Sequence, residues 1–169
     1  MPINSLDQKF AFVLGRAYDA EHQFLEGQRE MLQQASNPQL TELLNGHISM
    51  TEQQIGRLEQ IFSQLGQQPQ RNRCEAAAAL IADGRSLLQE VAGNPQLIDV
   101  VIADAQCKIE HSEVATYRGL VMGAQAMGQQ EALRLLEVNL QEEEQTAQMV
   151  EDNTPLLLQA AMQSRAAGA

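Results

Sequence analysis

Apolar residues recur along this chain at alternating steps of three and four, the spacing that places side chains on one face of a helix. The first such face carries Phe10, Leu14, Ala17, Phe24 and Met31. Later stretches repeat the pattern, separated by residues that break helices. We therefore predict five helices, at about 4–35, 38–65, 73–92, 95–127 and 129–153, the third being shorter and the last having a continuation.

The breaks between these stretches carry recognisable helix-capping residues. The phrase Asn-Pro-Gln-Leu occurs at 37–40 and again at 94–97; Asn can cap a helix and Pro suits the first helical position. Gly66 and Gly128 favour helix ends, and we expect Pro155 to interrupt the last segment. Two long hairpins joined by about 30 residues that include the short helix predict an all-α, ferritin-like four-helix bundle with one long crossover.

Composition agrees with a single helical domain. The chain has 169 residues, 44% of them hydrophobic but only 4% aromatic, which suits long helices packed through aliphatic side chains. We expect one domain over 1–164 and a disordered tail over 165–169. A net charge of -11 argues against nucleic acid or an anionic membrane as a partner. Without a signal-like start or an apolar run of about 20 residues, a soluble cytoplasmic protein is expected.

Ionisable residues interrupt the apolar faces near the middle of the four long helices: Glu21, His47, Glu110, Glu113 and Glu143. An unpaired buried carboxylate costs several kcal/mol unless it is protonated, hydrogen-bonded or bound to a cation. Glu113 lies as far before Gly128 as Glu143 lies after it, so antiparallel packing puts both at one height in the bundle. The pattern predicts an inward polar cluster that binds metal.

Other interpretations stay open for individual residues. A single Glu on such a face is usually a boundary residue whose carboxylate reaches solvent, and His47 is either a ligand or a neutral core histidine. Tyr117 can donate to a carboxylate, pack in the core, or do both. We expect four further polar residues to lie outside the cluster or on the solvent face: His22, His111, Glu142 and Glu144. We expect the two cysteines, Cys74 and Cys107, to be core residues of helices, without the spacing of a zinc site.

Several phrases together resemble the YciE/YciF group of bacterial ferritin-like stress proteins. They cover most of residues 10–150 and comprise Tyr18-Asp-Ala-Glu21, Ala35-Ser-Asn-Pro38, His47 with Thr51 and Arg57-Leu-Glu59, Arg73-Cys-Glu75, Glu110-His-Ser-Glu113 with Tyr117, and Glu142-Glu143. The resemblance implies a ferritin-like bundle, often a homodimer, with a di-iron or related site and a ferroxidase or oxidative-stress role. Glu21, His47, Glu110, Glu113 and Glu143 match the group's inward acids and histidine.

Three positions depart from the group's pattern. Met50 and Ala147 stand where the group usually has acids, and Ser112 replaces a customary Tyr. The first two departures remove oxygen ligands, so a single metal and a weakened pair are both compatible with the sequence.

Two functions follow from this ligand set. The first is a metal-binding protein with an incomplete set of ligands, which binds iron (di-iron or mononuclear) or manganese, because oxygen-rich donors suit these metals. Such a protein would react with oxygen or peroxide, for example as a ferroxidase. The alternative is a non-catalytic dimeric helical protein that has kept the fold and lost the site. No phosphate-binding or nucleophile motif is present, so catalytic residues are unknown and no organic cofactor is expected.

Overall fold

A computed structural model describes residues 2–167, with side chains described for residues 2–163. The described residues form five helices and no strand: α1 (Leu6–Gln34), α2 (Pro38–Gln64), α3 (Glu75–Glu90), α4 (Pro95–Ala126) and α5 (Gln130–Ala167). The predicted all-α bundle is confirmed, and the predicted bounds of the first four helices agree within about two residues. Within these bounds, no helix has both the length and the apolar content needed to cross a membrane.

Local chemistry explains where the helices begin and end. Asn37 accepts hydrogen bonds from the N–H groups of Gln39 and Leu40, and Asn94 accepts one from Leu97. Gly66 and Gly128 have φ values of +67° and +68°, a left-handed conformation that only glycine adopts without strain, and each follows a helix end.

The prediction that Pro155 interrupts the last helix is wrong, because α5 continues through it. A proline inside a helix removes one backbone hydrogen bond, to the carbonyl four residues earlier. Both Pro155 and Glu151 are exposed, so water can hydrate that carbonyl. The side chains of the predicted 165–169 tail lie outside the described residues, and that tail stays a prediction.

The four long helices form a ring in which α1 packs on α2 and α4, and α5 packs on α2 and α4. The crossover carries α3 back along α1 and α4, so α4 starts at the end of the bundle where α1 finishes. There Asp99 accepts hydrogen bonds from the Ser36 N–H and hydroxyl at 2.7 and 2.6 Å. The start of α3 is held by Asp19, which accepts from the Cys74 N–H at 2.8 Å and from Arg71 at 2.8 Å.

Two apolar clusters fill the interior. One lies toward the α4–α5 turn and includes Leu14, Leu58 and Leu136; the other lies toward the α1–α2 turn and includes Leu44 and Ile102. Between them lies a set of buried polar side chains contributed by all four long helices, which we name the polar layer. Its members are Glu21, Gln28, His47, Thr51, Gln54, Gln106, Glu110, Glu113, Asn139, Glu143 and Thr146.

Candidate metal centre in the polar layer

Four of the five predicted ligand residues converge on one point. His47, Glu110, Glu113 and Glu143 each offer a donor atom, and these atoms lie within 4.8 Å of one another. All four residues are buried, with at most 4% of their surface exposed. They come from three helices, α2, α4 and α5. The i, i+3 spacing puts Glu110 and Glu113 on one side of α4, facing α2 and α5.

The fifth residue, Glu21, lies beside this group. It is 1% exposed and accepts a hydrogen bond from the Tyr117 hydroxyl. Glu143 is close enough to Glu21 to raise the pKa of Glu21, and Glu113 is close enough for its own pKa to be raised by Glu21. Tyr117 is therefore both a packed core residue and a carboxylate partner, the two roles expected for it.

The polar layer contains many buried hydrogen-bonding atoms that have no hydrogen-bond partner within the protein. With the carboxyls ionised, twelve buried side-chain nitrogen and oxygen atoms among the described residues lack a hydrogen bond. They include both oxygens of Glu113, both oxygens of Glu143 and both ring nitrogens of His47. Folded proteins leave few such atoms unpaired, so the ionised layer needs protons, water or a bound cation to satisfy these atoms.

His47 has the protonation state that a metal ligand needs. Burial lowers the pKa of its imidazole, so the ring is neutral near pH 7. Its Nε2 atom lies 3.1 Å from Oε1 of Glu110, but the two do not meet the geometry of a hydrogen bond. A neutral ring that is 2% exposed and unpaired at both nitrogens is free to donate a lone pair.

Burial also governs the acids. It raises the pKa of Glu21 to about 8 and that of Glu110 to about 7. It raises the pKa of Glu113 and of Glu143 well above the usual range, and the neighbouring carboxylates add to the effect. Gln54 favours the ionised form of Glu143 but lies outside hydrogen-bond geometry. Without a cation the cluster therefore holds protons, and a cation would displace them.

Neighbouring side chains fix the orientation of these ligands. Gln106, one helical turn before Glu110, donates to Oε1 of Glu110. Arg57 donates to Oδ1 of Asn139 at 2.9 Å, and the Asn139 amide donates to the Tyr117 oxygen at 2.9 Å. A continuous hydrogen-bonded chain thus runs from Arg57, near the surface, to Glu21.

Asn139 and Gln106 belong to the candidate site but are not among the residues predicted from the sequence. Each lies four residues before a cluster acid, on the same face of its helix. That spacing from Glu143 and Glu110 was the available signal.

Two openings reach the cluster from opposite sides. A cavity of about 160 Å³ extends from Arg16 and Cys74 at the surface to Glu21 and Glu113. A wider depression of about 370 Å³ between α2 and α5 reaches His47. A further cavity of about 250 Å³ lies away from the polar layer, between α1, α3 and α4. Small solutes thus have a route to the buried acids.

The remaining predicted positions divide as follows. His22 is half-buried and His111 is exposed, both outside the cluster as expected. Glu144 faces solvent, but Glu142 does not, because Arg57 covers it with two hydrogen bonds of 2.6 and 2.8 Å. The two cysteines are half-buried rather than core residues. Cys74 precedes α3 as its N-cap, and Cys107 lies toward the outside of α4, so neither is enclosed by the bundle.

Comparison with known proteins shows the family to which the chain belongs. The profile described as "Domain of unknown function (DUF892)" matches residues 5–163. The chain belongs to the DUF892 family. Escherichia coli (strain K12) Protein YciF, a curated relative, is 29% identical over 147 residues, covering 86% of this chain and 88% of YciF.

Solved structures give the same result. The Escherichia coli stress protein YciF superposes with a TM-score of 0.87 at 25% identity, over 93% of this chain and 99% of that one. YcfI of Rhodopseudomonas palustris, named as a candidate structural protein, gives a TM-score of 0.86 at 31% identity, over 88% of this chain and 94% of that one. This DUF892 chain is thus a YciF-like helical bundle.

Proposed function

We propose that the polar layer binds a redox-active metal ion, iron in the first place and manganese in the second. The observation that carries this proposal is the convergence of His47, Glu110, Glu113 and Glu143, whose donor atoms are buried, mutually close and largely without hydrogen bonds. Their oxygen-rich set with one imidazole suits iron or manganese better than copper, and zinc prefers more nitrogen or sulfur.

Charge supports a divalent ion. No Lys or Arg of the described chain forms an ion pair with Glu21, Glu110, Glu113 or Glu143. With Glu21 included, the four carboxylates carry the charge that balances two divalent ions. The compact group of His47, Glu110, Glu113 and Glu143 alone has the number of ligands that one metal ion takes. One ion with retained protons, or two ions sharing the acids, both satisfy this balance.

The two departures from the group's pattern limit the ligand count. Met50 is half-buried and its sulfur contacts the Thr146 hydroxyl at 3.8 Å. Ala147 is buried but offers no donor atom. Met50 lines the depression that reaches His47, and Ala147 lies one helical turn after Glu143. Neither side chain has an oxygen, which favours one bound ion over two.

The protein's own residues have defined tasks in this proposal. Glu113 and Glu143 span α4 and α5 as ligands, while Gln106 orients Glu110 and Tyr117 orients Glu21. The apolar clusters exclude bulk water from above and below, which strengthens electrostatic interactions inside. A bound iron or manganese ion would exchange electrons with dioxygen or peroxide. The related YciF is named a stress protein, and we propose the same setting, with ferroxidase or peroxide-handling activity.

The alternative is a non-catalytic dimer that keeps the bundle without metal. The experiment that separates the two loads the apo-protein anaerobically with Fe(II), removes excess ion and measures bound iron per chain. We expect about one to two ions per chain, and loss of most of this iron in Glu113→Gln and Glu143→Gln. Glu144→Gln, which changes the exposed neighbouring acid, is the matched control and should retain the metal.

Admission of dioxygen or peroxide to the loaded protein then tests the redox part. Consumption of the oxidant by the wild type, and not by the two ligand variants, supports it. Retention of iron without consumption would overturn the redox activity alone. Failure of the wild type to retain iron would overturn the metal site and leave the non-catalytic dimer.

A further inference from the structure

A second cluster of metal-binding side chains lies outside the bundle, in the groove between α4 and α5. It consists of Cys107, His111 and Glu151, each of which offers a donor atom within 4.8 Å of the others. The Nε2 atom of His111 lies 2.8 Å from Oε1 of Glu151. Cys107 is half-buried, and the side chains of His111 and Glu151 are 56% and 47% exposed. The three are therefore assembled at the surface and accessible to an ion.

Helix geometry explains this assembly. Cys107 and His111 are four residues apart, which places them one above the other on the same face of α4. Glu151 comes from the antiparallel helix α5 and closes the third side. This face differs from the one that carries Glu110, which points into the polar layer. One helix thus presents ligands on two faces.

The donor types differ from those of the buried cluster. A thiolate, an imidazole and a carboxylate are the three ligand classes that zinc uses, and three protein ligands with one open position are typical of accessible zinc sites. The buried cluster of His47, Glu110, Glu113 and Glu143 has three carboxylates, one imidazole and no sulfur. Softer sulfur and nitrogen donors select zinc and its neighbours over iron or manganese.

We propose that Cys107, His111 and Glu151 form a second metal site that binds a zinc-class divalent ion with three protein ligands and one water. The ion replaces the direct contact between His111 and Glu151 and releases the thiol proton to solvent.

The local charge favours a cation at this position. Burial, together with Glu151, Asp104 and Glu110, raises the pKa of the Cys107 thiol, so these surroundings are electronegative. Asp104 lies about one turn before Cys107 and is exposed. A divalent ion removes the repulsion that opposes the thiolate, whereas the exposed contact between His111 and Glu151 contributes little to stability by itself.

Cobalt(II) spectroscopy distinguishes this site from the buried one. Cobalt bound by a thiolate gives a ligand-to-metal absorption band in the near ultraviolet, and the buried cluster contains no sulfur ligand to produce it. The probe is Co(II) alone, titrated into the full-length, reduced, metal-free protein. We expect the final intensity of the band to correspond to about one thiolate-bound Co(II) per chain, in addition to any Co(II) held without a band by the buried cluster, and we expect the band to disappear on addition of Zn(II).

Matched variants locate the ligands. Cys107→Ser should abolish the band, whereas Cys74→Ser, which alters the other cysteine, should leave it unchanged. His111→Ala should weaken Co(II) binding by at least about tenfold, since even losing an indirect partner of a ligand has that effect. His22→Ala serves as its control. Absence of the band in the wild type, or its persistence in Cys107→Ser, would overturn the proposal.

Discussion

The apolar clusters and the polar layer occupy the same interior but differ in how well their atoms are satisfied. Leu44, Leu58 and Leu136 are fully buried among aliphatic neighbours, where close packing supplies favourable contacts on every side. In the layer between them, Glu113 and Glu143 are also buried but have no hydrogen-bond donor while ionised. The difference indicates that the apolar clusters stabilise the fold, whereas the buried acids of the layer lower the stability of the apo-protein, as expected of the proposed cation site.

The largest expected effect comes from the apolar side of this comparison. Leu44→Ala leaves a cavity in the cluster near the α1–α2 turn and should lower the free energy of unfolding by about 2–5 kcal/mol. Because Leu44 is not a ligand, the loss should be the same with and without metal. Denaturant unfolding of both forms measures it, and a loss confined to the metal-bound form would break the proposed division of roles.

Replacing an acid of the layer should have the opposite sign in the apo-protein. Glu143→Met removes a buried, unpaired carboxyl, which should raise the free energy of unfolding by about 1–3 kcal/mol. The same variant should no longer gain thermal stability on addition of Fe(II) under anaerobic conditions, since a ligand is missing. Thermal unfolding with and without metal checks both parts. An apo-protein destabilised by the change would mean that Glu143 already has a favourable partner.

The raised pKa values predict how stability depends on pH. Glu21 and Glu110 have pKa values raised from 4.5 to about 8 and about 7 in the folded chain. Between pH 4.5 and these values the folded apo-protein binds protons that the unfolded chain has released, so stability falls as pH rises. Each such proton contributes a slope of about 1.4 kcal/mol per pH unit.

Unfolding of the apo-protein from pH 5 to pH 8 measures this slope. Bound metal should flatten or reverse it, since the ligands must be deprotonated. Apo-protein stability that is constant or increasing over this range would contradict the assignment of raised pKa values. Glu144→Gln should leave the slope unchanged.

The smallest effect is expected at the surface beside the layer. Glu144 pairs with Arg118 at 2.7 Å, and both side chains are about half exposed. Glu144→Gln should therefore change the free energy of unfolding by less than about 1 kcal/mol and should leave metal content unaltered. A larger change in either quantity would show that the polar layer extends beyond its buried members.

Much of the fold was predictable because its determinants are local. Asn37, Asn94, Gly66 and Gly128 end or begin helices through hydrogen bonds and backbone angles that depend on a few adjacent residues. The prediction that Pro155 interrupts the last helix failed, since whether a proline ends a helix depends on the exposure of the carbonyl it leaves unpaired.

The convergence of the candidate ligands was predictable where chain geometry alone sets distances. Glu113 and Glu143 flank one turn at equal separations, so their convergence follows from antiparallel packing. The chain of Arg57, Asn139 and Tyr117, and the meeting of Cys107 with Glu151, depend on how each helix is rotated about its axis. That rotation is fixed by packing against other helices, which the spacing of residues along one helix does not encode.

A crystal structure of the protein loaded anaerobically with Fe(II) would test most directly whether the polar layer holds a metal ion. An anomalous difference map recorded at the iron absorption edge should show a strong peak enclosed by His47, Glu110, Glu113 and Glu143. A layer without such a peak, in which ordered waters and shared carboxyl protons satisfy the same atoms, would contradict a metal site in the polar layer.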